Sequence, residues 1–253
     1  MKLKTLLLLL SSLSVTFTGF SANATSVNAA INNPSRPTQD VKRDVNRKPY
    51  EVLTFFGVKP GMTVLDVYAT SGYYTELLSH IVSPTGKVIS HNSHGYRKFV
   101  GQSINDRFLK GRLANVEKYY NHPKDVKLKK DTLYMTLVAL IYHDLYVTTA
   151  TNLITASDRK NLIGQLFKAI KPGGILGIVD HAAPRGSGKE AADKWHRLSA
   201  TIVTSELTEL GFELVDESKA LRNRTDPRDI SIFDNKVRRK TDRYILKFRK
   251  PKP

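Results

Sequence analysis

The stretch DVYATSGYYTE, residues 66 to 76, overlaps the short apolar run TVLDV, residues 63 to 67, and leads into Leu77, Leu78 and Ile81. A short apolar run of this kind suits a strand buried on both faces. Leu77, Leu78 and Ile81 place apolar groups on one side of a helix, which Thr70 or Ser71 can cap. The stretch therefore reads as a strand-to-helix junction. In open α/β sheets such junctions hold nucleotide-like ligands. Their loops are usually rich in glycine, and this one has a single glycine, Gly72.

Outward from the junction, strands and helices alternate. GVKPGM (57–62) and SPTG (83–86) read as turns, and KVISHN (87–92) as a second strand. A helix is expected from about Tyr96 to Leu113, and TLYMTLVAL (132–140) is a further buried strand. A helix over 157–170 has Leu162, Leu166 and Ile170 in phase and is stopped by KPGG (171–174). ILGIVDH (175–181) is a strand. A helix with Leu198, Ile202, Val203 and Leu207 follows, and FELVDES and RYILKFR are the last two strands. Upstream, a helix over 41–56 should break just before Pro49. The alternation predicts an α/β, doubly wound, mostly parallel sheet, with ligands at the carboxyl ends of its strands.

The first residues, MKLKTLLLLLSSLSVTFTGFSANAT, combine Lys2 and Lys4, an apolar core at Leu6–Leu10 and small residues at Ala22 and Ala24. This is the pattern of a cleaved secretory leader over residues 1–24, with a periplasmic or secreted location. Residues 25–40 are polar and read as a flexible lead-in to a domain over 41–253. The 253-residue chain has no cysteine and a formal charge of +17. That charge reads first as a solvated basic surface, with electrostatic contact with anionic envelope surfaces as the alternative. No zinc-ligand spacing, helix-turn-helix or RNA-binding signature is present, so neither a metal nor a specific nucleic acid is expected.

The ordered motifs carry a resemblance. VLDVYATSGYYTELL, AIKPGGILGIVDH, and LTELGFELVDES followed by TDRYILKFRK resemble the class I S-adenosylmethionine-dependent methyltransferases. The entry RKPYEVLTFFGVKPGM, the YHD at 142–144 and the tail LRNRTDPRDISIFDNKVRRKTD are similar to a family of secreted bacterial predicted methyltransferases. The resemblance covers about residues 40 to 250. It implies a Rossmann-like fold with a mostly parallel seven-stranded sheet closed by an antiparallel pair, and S-adenosylmethionine as cofactor.

It also implies site residues. The superfamily loop runs acidic-x-Gly-x-Gly-x-Gly. Asp66 and Gly72 match its ends, while Tyr68 and Thr70 stand at the two inner glycine positions. Glycine there allows close approach and positive φ, which a β-branched threonine adopts poorly. Asp66, Tyr68, Gly72 and Tyr73 are the cofactor-loop candidates. The acidic residue usual at the end of the second strand is missing, and Asn92 stands nearest. Tyr142, His143 and Asp144 follow the fourth strand, where many class I enzymes face the methyl group. His143 is the candidate base and Asp144 its orienting partner. His181 and Asp180 lie at the same edge, with capping or packing as the alternative. Arg43, Arg47 and Glu51 lie in an entry helix that often lids this fold, and their plainer reading is a solvated face. The connection 220–242 is long enough to be functional or disordered. It carries Asn223, Asp226, Arg228, Asp229, Phe233 and Asp234.

The expected function is methyl transfer to an unidentified small-molecule or envelope acceptor. The alternative is a non-catalytic exported binding protein on the same fold, with a degenerate cofactor loop.

Overall fold

A computed structural model describes residues 18–94, 102–149 and 152–253. Strand β1 (Thr63–Val67) is buried along almost its whole length, as its unbroken apolar character requires. It sits in a seven-stranded sheet with β2 (Lys87–Asn92), β3 (Val116–Tyr120), β4 (Leu133–Ala139), β7 (Ile170–His181), β8 (Glu213–Ser218) and β9 (Arg243–Arg249). The spatial order is β3-β2-β1-β4-β7-β9-β8. All neighbours from β3 to β7 run parallel, and β9 pairs antiparallel with both β7 and β8. A two-stranded hairpin, β5 (Thr148–Thr149) and β6 (Asn152–Leu153), stands apart.

The chain starts the sheet at β1, moves outward through β2 and β3, then returns to β4 on the other side of β1. The switch point therefore lies between β1 and β4, and the loops leaving both strands flank it. Helix α4 (Tyr73–Val82) follows β1, and α6 (Ala156–Ala169) precedes β7. A capping box fixes the start of α6, with the Thr155 side chain accepting from Asp158 N–H and the Asp158 carboxylate from Thr155 N–H. The seven-stranded α/β architecture with its closing antiparallel pair is the one expected.

Several local expectations change. Residues 25–40 are not a flexible lead-in. Helix α1 (Thr18–Ile31) buries Val27 and Ala30 in the apolar cluster that also holds Val52, Leu53, Phe56, Leu77 and Leu78. Residues 1–17 of the expected leader lie outside the described residues. The entry helix does divide before Pro49, into α2 (Thr38–Arg47) and α3 (Pro49–Phe56), with Lys48 left-handed between them. The helix expected over 96–113 appears as α5 (Gln102–Arg107) and a 3-10 turn at Leu109–Gly111, with 95–101 outside the described residues. Strand β3 was not located from sequence. It is a partly exposed edge strand, with Glu117 and Lys118 facing water. KPGG is the irregular start of β7, where the register to β4 shifts and Gly173 has φ of 80°. Two further helices, α7 (Glu190–Trp195) and α8 (Ala200–Glu209), precede β8.

The 220–242 connection is ordered by charge. Arg197 and Asp226 are fully buried and bind bidentately at 2.8 and 3.0 Å. Asp226 also accepts from the backbone N–H of Arg228 and Asp242. Asp242 in turn receives Asn223 N–H and the side chains of Arg222 and Arg228. Asn223, Asp226 and Arg228 thus shape the loop. Removing one partner of a buried pair strands a charge, at a cost of about 3–5 kcal/mol, which is why this segment keeps one conformation.

Candidate functional site

The loop after β1 keeps the backbone of a glycine-rich loop without the glycines. Tyr68, Thr70 and Gly72 have φ of 50°, 51° and 82°. For Tyr68 and Thr70 such a conformation costs about 1–3 kcal/mol each and persists only where the surroundings over-determine it. Here the end of β2 supplies the determination. Ala69 N–H donates to His91 O at 2.8 Å. Tyr68 N–H donates to His91 Nδ1 at 3.4 Å. Asn92 Oδ1 accepts from Thr70 N–H at 2.9 Å, and its Nδ2 donates to Thr70 O at 3.2 Å. His91 Nε2 completes the set with Asn121 O at 3.1 Å, so Nε2 carries the proton and Nδ1 accepts. Burial lowers the His91 pKa to about 4, which keeps this tautomer neutral.

Asp66, the expected pocket carboxylate, is buried beneath the loop and accepts from Thr75 Oγ1 at 2.6 Å. Burial pushes its pKa up to about 7, against the lowering effect of that hydrogen bond and of Arg47. Tyr68 is also buried. Its ring meets His91 edge-on at 5.0 Å, so protein covers the faces that a ligand would need. Gly72 occupies the left-handed position at the start of α4. Tyr73 turns to the entry helix. Its hydroxyl donates to Asp44 at 2.6 Å, and the Arg47 guanidinium lies 4.4 Å from its ring centroid. Asn92 spends its amide on Thr70, so it supports the loop from behind.

The residues after β4 form a relay with the end of β7. Asp180 accepts from both His143 N–H and His143 Nδ1, each at 2.7 Å. His143 Nε2 meets Asp144 Oδ1 at 3.1 Å, and His196 Nδ1 lies 3.4 Å from the same oxygen. Burial alone would lower the His143 pKa, but Asp180 and Asp144 outweigh it and raise it to about 10. His143 is therefore an imidazolium at neutral pH. The expected base is corrected: with both ring nitrogens paired and the ring buried, it has no site for a substrate proton. Asp144 is half-buried, and Asp180 does the orienting. Tyr142 is also buried, with its hydroxyl on Glu206 of α8 at 2.6 Å, away from this relay. Ligand atoms of His143, Asp144 and His196 lie within 4.8 Å of one another, a spacing that suits a cation only once His143 has lost its proton. No metal was expected, because residues this far apart in sequence leave no spacing signature.

His181 binds Thr241 Oγ1 through Nδ1 at 2.7 Å. Burial, the His143 cation and nearby arginines hold its pKa well below the ordinary value. Its ring helps to line a cavity of about 410 Å³ between α2, the ends of β4 and β7, and the 232–243 segment. Leu140, another non-glycine at positive φ, 64°, lines the same cavity. Arg43 and Arg47 are half-buried on its wall, while Glu51 is exposed, so the face read as solvated is so only in part.

Comparison with known proteins agrees with the fold. The family model for protein-L-isoaspartate(D-aspartate) O-methyltransferase matches residues 47–107, the segment holding β1, the loop, α4 and β2. The ubiquinone/menaquinone biosynthesis C-methyltransferase UbiE of Legionella pneumophila is 24% identical over 140 residues, 55% of this chain and 50% of the relative. The chain thus spans about half the length of the curated relatives that it matches. A SAM-dependent methyltransferase of Aquifex aeolicus superposes with a TM-score of 0.58 at 20% identity, over 90% of this chain and 98% of that one. These likenesses show the Rossmann-like α/β fold that S-adenosylmethionine-dependent methyltransferases share. The [4+2]-cyclase SpnF has the same fold, with a TM-score of 0.56 at 14% identity, covering 93% of this chain and 96% of SpnF.

The loop's backbone would suit S-adenosylmethionine, because residues 68, 70 and 72 take the left-handed conformation that glycines otherwise supply. The end of β2 suits a ribose less. Among the described residues no carboxylate stands at the end of β2, and the Asn92 amide is already committed. Asn92→Ala should cost about 1–3 kcal/mol, because it leaves two backbone groups of Thr70 unpaired. Thr70→Gly should cost little or stabilise by up to about 1 kcal/mol, as relief of strain offsets glycine's extra entropy. Urea denaturation reads both; a neutral Asn92→Ala would show that Asn92 does not hold the loop.

Proposed function

We propose that the protein transfers a methyl group from S-adenosylmethionine to an oxygen or nitrogen nucleophile on a small-molecule or envelope acceptor. The observation that carries this reading is the left-handed loop at Tyr68, Thr70 and Gly72, set over Asp66 at the sheet's switch point and beside a cavity. The cofactor supplies an electrophilic methyl group on a sulfonium. Loop 68–73 and Asp66 would hold it, and Asn92 and His91 keep the loop in shape. The neighbouring cavity would place the acceptor, so that much of the rate comes from positioning. Asp144, fixed by His143 and His196, offers a carboxylate for a proton leaving the acceptor.

A second reading, a protein that binds ligand on this fold without methyl transfer, is favoured by the filled glycine positions and by the cyclase that shares the fold. Calorimetry with S-adenosylhomocysteine separates the two. The ligand carries an ammonium group, and the Asp66 carboxyl is protonated below about pH 7 in the free protein. Binding of a cation then requires the proton to leave. Affinity should rise by up to about tenfold per pH unit as pH approaches 7 and level off above it. Asp66→Asn should remove that slope. No binding at millimolar ligand would sink the methyltransferase reading and move the second one forward.

We also propose export with cleavage close to Ala24. The lysine start, leucine core and small-residue site support it, and cleavage there would leave the buried Val27 and Ala30 on the mature chain. Mass spectrometry of the envelope fraction should find an N terminus within a few residues of Thr25. Intact Met1 protein in the cytosol would refute it.

A further inference from the structure

Helix α2 is turned against its hydropathy. Gln39, Lys42, Arg43, Asn46 and Arg47 recur at helical spacing and all line the 410 Å³ cavity. Val41 and Val45 are left 48% and 74% exposed. A helix packed for stability alone would do the opposite. The opposite wall adds Arg238, Arg239 and Arg243, so among the described residues six cations line the cavity and no carboxylate does.

These cations are poorly compensated. Among the described residues Arg43 pairs only with Asp40, at 3.3 Å, and Asp40 is shared with Arg107. Arg243 is buried and donates to the carbonyls of Thr241 and Asn46, leaving Nη1 without a hydrogen-bond partner among the described residues. Lys42, Arg47, Arg238 and Arg239 have no carboxylate within ion-pair distance among the described residues. Burial comes first and Arg47 next in holding both Arg43 and Arg243 below the ordinary arginine pKa, a sign of mutual repulsion. Lys42, Arg238 and Arg239 are exposed, but the more buried trio of Arg43, Arg47 and Arg243 is costly unless an anion relieves it. The rest of the lining is different in kind. Leu140, Ile232 and the exposed ring of Phe233 give it an apolar side, and His181 offers a neutral imidazole. A volume near 410 Å³ suits a small molecule.

We propose that this cavity binds an acceptor with an oxyanion, phosphate or carboxylate, on a small apolar body, the oxyanion held by Arg43, Arg47 and Arg243. Its role as the methyl acceptor's site rests on the methyltransferase reading; the anion-binding cavity does not. The rim residues Lys42, Arg238 and Arg239 draw the ligand in.

Calorimetry on the full chain, with phenyl phosphate, benzoate and benzyl alcohol as probes, tests it. At least one anion should bind, and the neutral alcohol should not. The tighter of the two anions identifies the group. Arg43→Gln should weaken the anion by about tenfold, the scale of one lost charge-assisted hydrogen bond, and the rim variant Arg239→Gln should weaken it less, through a slower association. Lys129→Gln, before β4 at the far edge of the sheet, should change nothing. Equal binding of the alcohol, no binding of either anion, or an equal loss in Lys129→Gln would overturn the proposal. S-adenosylhomocysteine titrated into the same samples keeps the two ideas apart. Its binding without anion binding removes only this proposal. Anion binding without it leaves the cavity standing and removes the methyl-transfer role.

Discussion

Everything in the candidate site depends on the grip of β2 on the loop that follows β1. Four hydrogen bonds from His91 and Asn92 hold residues 68 to 70 in place. They allow a tyrosine and a threonine to stand in a left-handed conformation where glycine is the usual solution. The energies are comparable. Strain of about 1–3 kcal/mol per residue meets a few buried hydrogen bonds of about 0.5–1.5 kcal/mol each. The loop keeps its shape, and Asn92 gives up the freedom to contact a ribose. One substitution pattern therefore explains both the preserved backbone and the missing polar contact.

The second constraint is electrostatic. His143 is buried between two carboxylates, and their combined pull exceeds the cost of burying its charge. That makes it the fixed cation of a relay that ends at Asp144 and His196. Across the ring contact at 5.4 Å, the same charge keeps His181 neutral. The two histidines at neighbouring strand ends thus take opposite states, each set by what surrounds it.

Much of this is legible in the sequence, for physical reasons. TVLDV is a strand because no face of it can meet water, and Asp66 and Gly72 mark the junction after it. The break before Pro49 follows from sterics. What escapes is long-range or contrary to average behaviour. Strand β3, VEKYY, is half polar because it is an edge, so its period does not stand out. Helix α1 looks like leader and lead-in, and only packing against α3 and α4 shows why Val27 is apolar. Asn92 reads as a ligand contact until its pairing with Thr70, 22 residues away, is seen. Asp180, at the end of the adjacent strand, was a signal for a second carboxylate on His143. The cations of α2 have visible helical spacing, but charge normally faces water, and the face turned inward is the exception.

The central claim is that a β2-pinned loop without its inner glycines still forms the cofactor seat. Hydrogen exchange, followed with and without S-adenosylhomocysteine, tests it most directly. In the free protein the amides of Tyr68, Ala69 and Thr70 should already exchange slowly, because all three are bonded to β2. Added ligand should slow residues 66 to 76 further and leave β8 and β9 unchanged. Fast exchange at 68–70 in the free protein, or protection that appears elsewhere and spares this loop, would contradict the account.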